Sequence, residues 1–225
     1  MGLEEDRLGS VVQRIEEASR RAGRDPKDIT LIAVTKTVEL ERILPYLQAG
    51  IRHVGENRVQ EALTKYDVNK SIRPTFHLIG PLQSNKAKKA VAFFDMIQSL
   101  DRFDLAEDLQ RHAAALGKIQ DCLVEVKISD EPTKSGLVPE ALPELLSQVS
   151  SLPNIRVRGL MGIPPLSAAG DAARPYFQKL RHLFVESKLE ILSMGMSSDF
   201  ETAIEEGSTM VRIGTALFGP RSTPL

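Results

Sequence analysis

The chain has 225 residues, 42% hydrophobic and 26% charged, with a net charge of −1. That is the composition of a soluble globular protein long enough to build a real core, and the charge balance carries no footprint for nucleic acid. One cysteine, Cys122, excludes an internal disulfide and a cysteine metal cluster; in the apolar run CLVEVKI it reads as a buried structural thiol. The four histidines (53, 77, 112 and 182) lack metal-ligand spacing. The N-terminal residues show no signal-peptide order and no apolar stretch reaches ~18 residues, so a cytoplasmic location is expected.

Residues 4 to 22 read as a helix. Leu8, Val11, Val12, Ile15, Ala18 and Ala22 recur at helical spacing, Glu16 with Arg20 and Glu17 with Arg21 stand four apart on the outer face, and Gly23 supplies the stop. The chain then alternates. TLIAVTK (30–36) reads as a strand and VELERILPYLQAG as a helix ending at Gly50; IRHVG is a second strand, with a helix over about 57–69. TFHLIG (75–80) is followed by the helix QSNKAKKAVAF, and DMIQSL by RFDLAEDLQRHAAALG, which stops at Gly117. DCLVEVKI precedes a helix at about 138–149, IRVRGLMGI one at about 172–187, and LEILSMG a short one near 199–206; TMVRIG closes the series and leads into TALFG.

Eight strand–helix units with short connections imply a parallel sheet with helices outside. At a length near ~250 residues, eight units favour an α/β fold of the closed (β/α)8 TIM barrel type over an open sheet. No stretch resembles a linker, so one domain spanning 1–225 is expected, with the first helix as an addition to the barrel. The loop GIPPLSAAGDAARP after the sixth strand reads as functional, and the basic run at 85–89 as a solvated helix face.

In such a barrel the working groups stand at the C-terminal ends of the strands. Those ends carry Lys36, Glu56 and Asn57, His77 and Gly80, Ser99, Lys127, Met161, the turn SMGMSSD and Arg212. Lys36 continues the apolar strand LIAVT on the face of Ile32 and Val34. Low-dielectric surroundings lower a lysine pKa and suit the amine to form a Schiff base; the alternative is a strand-end lysine reaching water. Lys127 shares a face with Glu125, which an ion pair explains, and Lys134 sits in the loop DEPTKSG. Glycines with Ser197, Ser198 and Thr215 after strands seven and eight suit a phosphate, although Ser197, Ser198 and Asp199 also read as caps of the helix near 200. Asn57 reads equally as an N-cap, and His77 in FHLIG as a satisfied core residue.

A Schiff-base lysine with a phosphate cradle suggests a phosphorylated aldehyde, either pyridoxal 5′-phosphate or a sugar phosphate in an aldolase. Arg212 discriminates. A lone arginine in the apolar run MVRIGTALF is costly unless paired, and an always-charged partner at a pyridine nitrogen would keep that nitrogen unprotonated.

These segments carry a resemblance. LIAVTKT, HVGENRVQE, FHLIGPLQSNK, EPTKSGL, RGLMGI and LSMGMSSDFETAIEEGSTMVRIGTALFG together are similar to the pyridoxal phosphate homeostasis protein family, relatives of the alanine racemase N-terminal domain. The resemblance implies a (β/α)8 barrel with pyridoxal 5′-phosphate held on Lys36. It implies phosphate contacts from Ser197, Gly214 and Thr215, Arg212 near the pyridine nitrogen, and Asn57 and Met161 close to the cofactor. It further implies a role in buffering or delivering the cofactor, with apo-enzymes that require it as partners, and without the racemases' second domain and its dimer contacts a monomer is expected. The racemases add a β-rich domain with a tyrosine base; such a domain is not expected here, and Tyr46, Tyr66 and Tyr176 fall in predicted helices. A weak amino-acid racemase is the alternative.

Overall fold

The computed structural model describes residues 3–66, 73–129, 131 and 135–220. Its strands are β1 (Thr30–Val34), β2 (His53–Glu56), β3 (Thr75–Leu78), β4 (Met96–Leu100), β5 (Gln120–Glu125), β6 (Ile155–Met161), β7 (Ile191–Ser193) and β8 (Met210–Ile213). They are parallel and close in sequence order, with β8 returning to pair with β1 in the register Ile32↔Arg212. The expected barrel is therefore present.

Outside it stand α2 (Leu40–Gln48), α3 (Val59–Tyr66), α4 (Ala87–Phe93), α5 (Phe103–Ala115), α6 (Leu142–Val149), α7 (Arg174–Ser187), α8 (Phe200–Glu205) and α9 (Thr215–Phe218), preceded by α1 (Leu3–Arg21). Strand alternation divides the buried apolar residues in two. Ala33, Val54, Leu78, Ile97, Val124 and Val211 join the large core between sheet and helices, whereas Ile32, Met96, Leu123, Met161 and Met210 fill the barrel itself. Cys122 is buried in the outer layer, as expected of a structural thiol.

Helix α1 has acidic residues in its first turn and Arg20 and Arg21 in its last, both favourable to the helix dipole. It buries Val11, Ile15 and Ala18 and lies against α8 and α9. Arg14 makes two hydrogen bonds to Glu201, at 3.1 and 2.8 Å, while its guanidinium covers the Phe200 ring. Arg21, expected to pair with Glu17, instead reaches Glu205 at 2.8 Å, so its charge ties two helices together.

Sequence boundaries ran long at the C-terminal ends of strands. β1 stops at Val34 because the chain turns: Val38 N donates to Thr35 O at 3.0 Å, with Lys36 and Thr37 between them. The helices expected over QSNKAKKAVAF and at 138–149 and 172–187 each open with a 3-10 turn, at Ser84–Lys86, Pro139–Ala141 and Gly170–Ala173. Residues 67–69 of the expected third helix lie outside the described residues. Lys86, Lys88 and Lys89 are exposed, as a solvated face requires.

The β5–β6 ladder runs Cys122↔Val157 and then Leu123↔Gly159, so Arg158 is an extra residue and bulges. Gly159 follows because β7 comes very close there: a Cβ on it would lie 1.8 Å from Ile191 O. Gly159→Ala is expected to lower stability by about 3 kcal/mol, read from the urea midpoint. Gly9→Ala, on an exposed stretch of α1 with nothing within 4 Å of the added carbon, is expected to raise it by about 0.5–1 kcal/mol.

Candidate functional site

Lys36 is half-buried in the turn after β1, and the main chain on both sides of it is held. Thr35 Oγ1 donates to Glu56 Oε1 at 2.6 Å, so the contact to the Tyr66 hydroxyl at 2.9 Å has the tyrosine as donor. Lys65 Nζ donates to Thr35 O at 2.6 Å, to Glu56 Oε1 at 2.8 Å and to Glu61 Oε1 at 3.1 Å. Glu61 in turn accepts from Thr37 N at 2.6 Å. These contacts fix Thr37 at φ 60, a left-handed conformation that a threonine adopts only under constraint. Glu56 is fully buried, which raises its carboxyl pKa against the pull of Lys65.

Glu56 is therefore a structural anchor on the helix side of β2. The next residue, Asn57, is half-buried; its Oδ1 is buried without a partner, and α3 begins two residues later without it as a cap. Gly80, at the end of the next strand, is required there because a Cβ would stand 2.4 Å from Asn57 O. The β1–β2 register, Val34↔Gly55, carries Lys36 and Asn57 to the same rim.

Across the barrel mouth, Ser197 Oγ accepts from Gly214 N and Ala216 N, both at 3.2 Å. The serine thus serves the start of α9 and not α8, contrary to the capping alternative. Asp199 does occupy the N-cap of α8, but its carboxylate turns back to accept from Met196 N at 2.7 Å and from Ser198 Oγ at 3.2 Å. Gly214 rests on β1, where its added carbon would meet Val34 at 3.6 Å, and Thr215 is exposed as the first residue of α9. Two main-chain amides converge here on one hydroxyl oxygen, the grouping of donors on which oxyanion sites are built.

Arg212 is 3% exposed. Its Nη1 donates to Ser193 Oγ at 2.6 Å and its Nη2 to Gly162 O at 3.0 Å, and among the described residues no carboxylate forms an ion pair with it. Burial pushes its pKa down to about 10, opposed by the more distant Glu125 and Asp199, so the guanidinium is charged at neutral pH.

The remaining expected residues divide. Met161 ends β6 inside the barrel with Ile32, Met96, Leu123 and Met210, forming the apolar packing beneath the mouth. His77 is a satisfied core residue, bonded to His53 and Gln98. Ser99 is buried with an unpartnered hydroxyl, while its neighbour Gln98 reaches Ser193 and Met210. Lys127 forms no ion pair with Glu125 among the described residues: Ser135 Oγ donates to that carboxylate at 3.2 Å. Lys134 lies outside the described residues. Sequence reasoning missed Ser193 and Gln98, although a buried arginine requires acceptors and these are polar residues in otherwise apolar strands.

Glu125 also lines a cavity of about 190 Å³ with Lys127, Ser129 and Ile163. Burial raises its carboxyl pKa from 4.5 to about 7. The folded chain then retains a proton that the unfolded chain loses between those values, so this contribution to stability is full below pH 4.5 and lost as pH rises to about 7. Glu125→Gln is expected to remove about 3 kcal/mol of that loss, measured as the difference in unfolding free energy between about pH 5 and pH 8.

Residues 7–222 match the alanine racemase N-terminal domain family. The pyridoxal phosphate homeostasis protein of Aquifex aeolicus is 46% identical over 96% of this chain and 97% of that protein. PipY of Synechococcus elongatus PCC7942, solved with PLP bound, superposes with a TM-score of 0.80 at 40% identity, covering 93% of this chain and all (100%) of that one. The alanine racemase of Clostridium difficile 630 shares the fold at 15% identity, with a TM-score of 0.72 over 97% of this chain and 58% of that one. The chain therefore belongs to the alanine racemase N-terminal domain family, among its pyridoxal phosphate homeostasis proteins.

Proposed function

We propose that this chain binds pyridoxal 5′-phosphate in the barrel mouth and works in cofactor homeostasis, buffering or delivering it to enzymes that require it. The observation that carries the reading is the donor set: an amine on the β1 rim, two amides and two hydroxyls at the β7–α8 and β8–α9 turns, and a buried cation between. Asn57 Oδ1, buried and unanswered, is the kind of atom that a polar ligand satisfies. PipY, 40% identical and solved with PLP bound, supports the same ligand.

Bound there, pyridoxal phosphate supplies an electrophilic carbonyl and an electron-withdrawing ring. Lys36 is the attachment point, and the clamp on Thr35 and Thr37 sets where its amine emerges. Ser197, Gly214 and Thr215 hold the phosphate, the amides that now converge on Ser197 Oγ turning to the phosphate oxygens. Arg212 faces the ring nitrogen as a donor that cannot take up a proton, which leaves that nitrogen unprotonated and the ring a weak electron sink. Asn57 and Met161 bound the ring from the β2 and β6 sides.

Holding without turnover also agrees with the tyrosines. Tyr46 donates to Leu217 O, and Tyr66 is engaged by Thr35 on the helix side of β1. Tyr176 lies on α7, packed against the outer core.

Borohydride treatment of the loaded protein is expected to fix the cofactor to the wild-type chain and to leave none on Lys36→Ala, scored by intact-protein mass. Ser197→Ala is expected to weaken binding about tenfold, the loss of one charge-assisted hydrogen bond. Incubation with each L-amino acid is expected to yield no D-enantiomer; steady turnover would overturn the carrier reading in favour of a racemase. An adduct retained by Lys36→Ala would overturn the site.

A further inference from the structure

The hydrogen bonds that hold Arg212 do not stop at Ser193. Ser193 Oγ donates to Gln98 Oε1 at 2.7 Å, Gln98 Nε2 lies 3.1 Å from His77 Nδ1, and His77 Nε2 lies 3.0 Å from His53 Nδ1. The file crosses the barrel from β8 through β7, β4 and β3 to the first residue of β2, at the end opposite the mouth. Beyond it, His53 borders a surface groove with Thr30, Gly50 and Arg52.

The direction of every link follows from chemistry. A guanidinium only donates, so Ser193 Oγ accepts from it and gives its own proton to Gln98. Gln98 Nε2 also faces Met210 Sδ at 3.2 Å, an acceptor only, which assigns nitrogen to that side. His77 Nδ1 must therefore accept. Burial holds the His77 pKa near 3, so the ring is neutral and its single proton sits on Nε2, donated to His53. His53 Nδ1 accepts and its proton is on Nε2.

We propose that Ser193, Gln98, His77 and His53 are positioning residues for Arg212, a file of aligned neutral dipoles that fixes the guanidinium and stabilises its charge without a counter-ion. The negative end of each link points toward Arg212. Dipoles so aligned polarise one another in a low-dielectric interior, and they stabilise the buried cation while leaving its charge undischarged toward the mouth. An ion pair in the same place would cancel that charge. The consequence for cofactor binding rests on the function proposed above; the direction of the file does not.

Two measurements test this separately. In protein without added cofactor, nitrogen-15 NMR of the histidine rings is expected to find both His53 and His77 protonated on Nε2; a proton on Nδ1 of His77 overturns the file. In the loaded protein, His77→Leu, which neither accepts nor donates, is expected to shift the visible absorption maximum of bound pyridoxal phosphate and to weaken binding about tenfold. His77→Gln, with an amide oxygen for Gln98 and an amide proton for His53, is expected to restore both to within about twofold. Ser193→Ala breaks the link next to Arg212 with little change of volume and is expected to reproduce the leucine effect, should His77→Leu fail to fold. Leucine and alanine variants with wild-type absorption and affinity overturn the proposal. A wild-type protein that binds no pyridoxal phosphate overturns the cofactor reading instead, and the ring-nitrogen assignments still decide the file.

Discussion

A single buried guanidinium, with no ion pair among the described residues, is the constraint around which the barrel interior is arranged. Arg212 sits on β8 opposite Ile32 of β1, in a space shared with Met96, Leu123 and Met161 of β4, β5 and β6 and Met210 of its own strand. Moving a cation into such surroundings costs several kcal/mol unless dipoles replace the lost water. The replacement comes from Ser193 and Gly162 O directly, and from Gln98 and His77 behind them. Half of the interior is apolar because it must pack, and the other half is polar because Arg212 must be solvated.

Lys36 is handled in the opposite manner. Its neighbours are restrained from outside the barrel, by Glu56, Glu61, Lys65 and Tyr66 on β2 and α3. The charged groups of that clamp, Lys65 between Glu56 and Glu61, pair with one another behind the sheet. They set the path of the main chain at Thr35 and Thr37. The two cationic groups are thus positioned by separate networks on opposite faces of the strands, so a change in one network leaves the other's restraints in place.

Local patterns carried most of the architecture. Eight apolar runs, each followed by a helical period and several by a glycine stop, were enough to order the strands, since a parallel sheet of this length closes in sequence order. The rim residues Lys36, Asn57, Ser197, Arg212, Gly214 and Thr215 were legible for the same reason: the ends of strands are visible in the sequence. Strand ends were nonetheless read too far, because Lys36 continues the alternation of β1 although the hydrogen bonding has already turned. The alternative reading of Ser197 as a cap of α8 fails because its partners, Gly214 and Ala216, are seventeen and nineteen residues away in sequence. Gln98 and His53 were invisible as members of a network, since their relation to Arg212 exists only once β8 has closed on β1 and faces β4 across the barrel.

The same geometry bears on the electronics of a cofactor held in such a barrel. A carboxylate facing the pyridine nitrogen would hold it protonated and make the ring a stronger electron sink, whereas a guanidinium leaves it unprotonated. Here the facing group on the proposed reading is a guanidinium whose pKa, though lowered to about 10 by burial, stays well above neutrality. Two of its N–H groups are held by Ser193 and Gly162, and the dipoles behind it oppose any loss of charge. Such a site binds the ring through a fixed positive charge and binds the phosphate through main-chain amides, both independent of any chemistry at the carbonyl. On the proposed reading, retention and release would depend on Lys36 and on the phosphate cradle, the two parts at the barrel mouth, while the ring's electronics would be set from within.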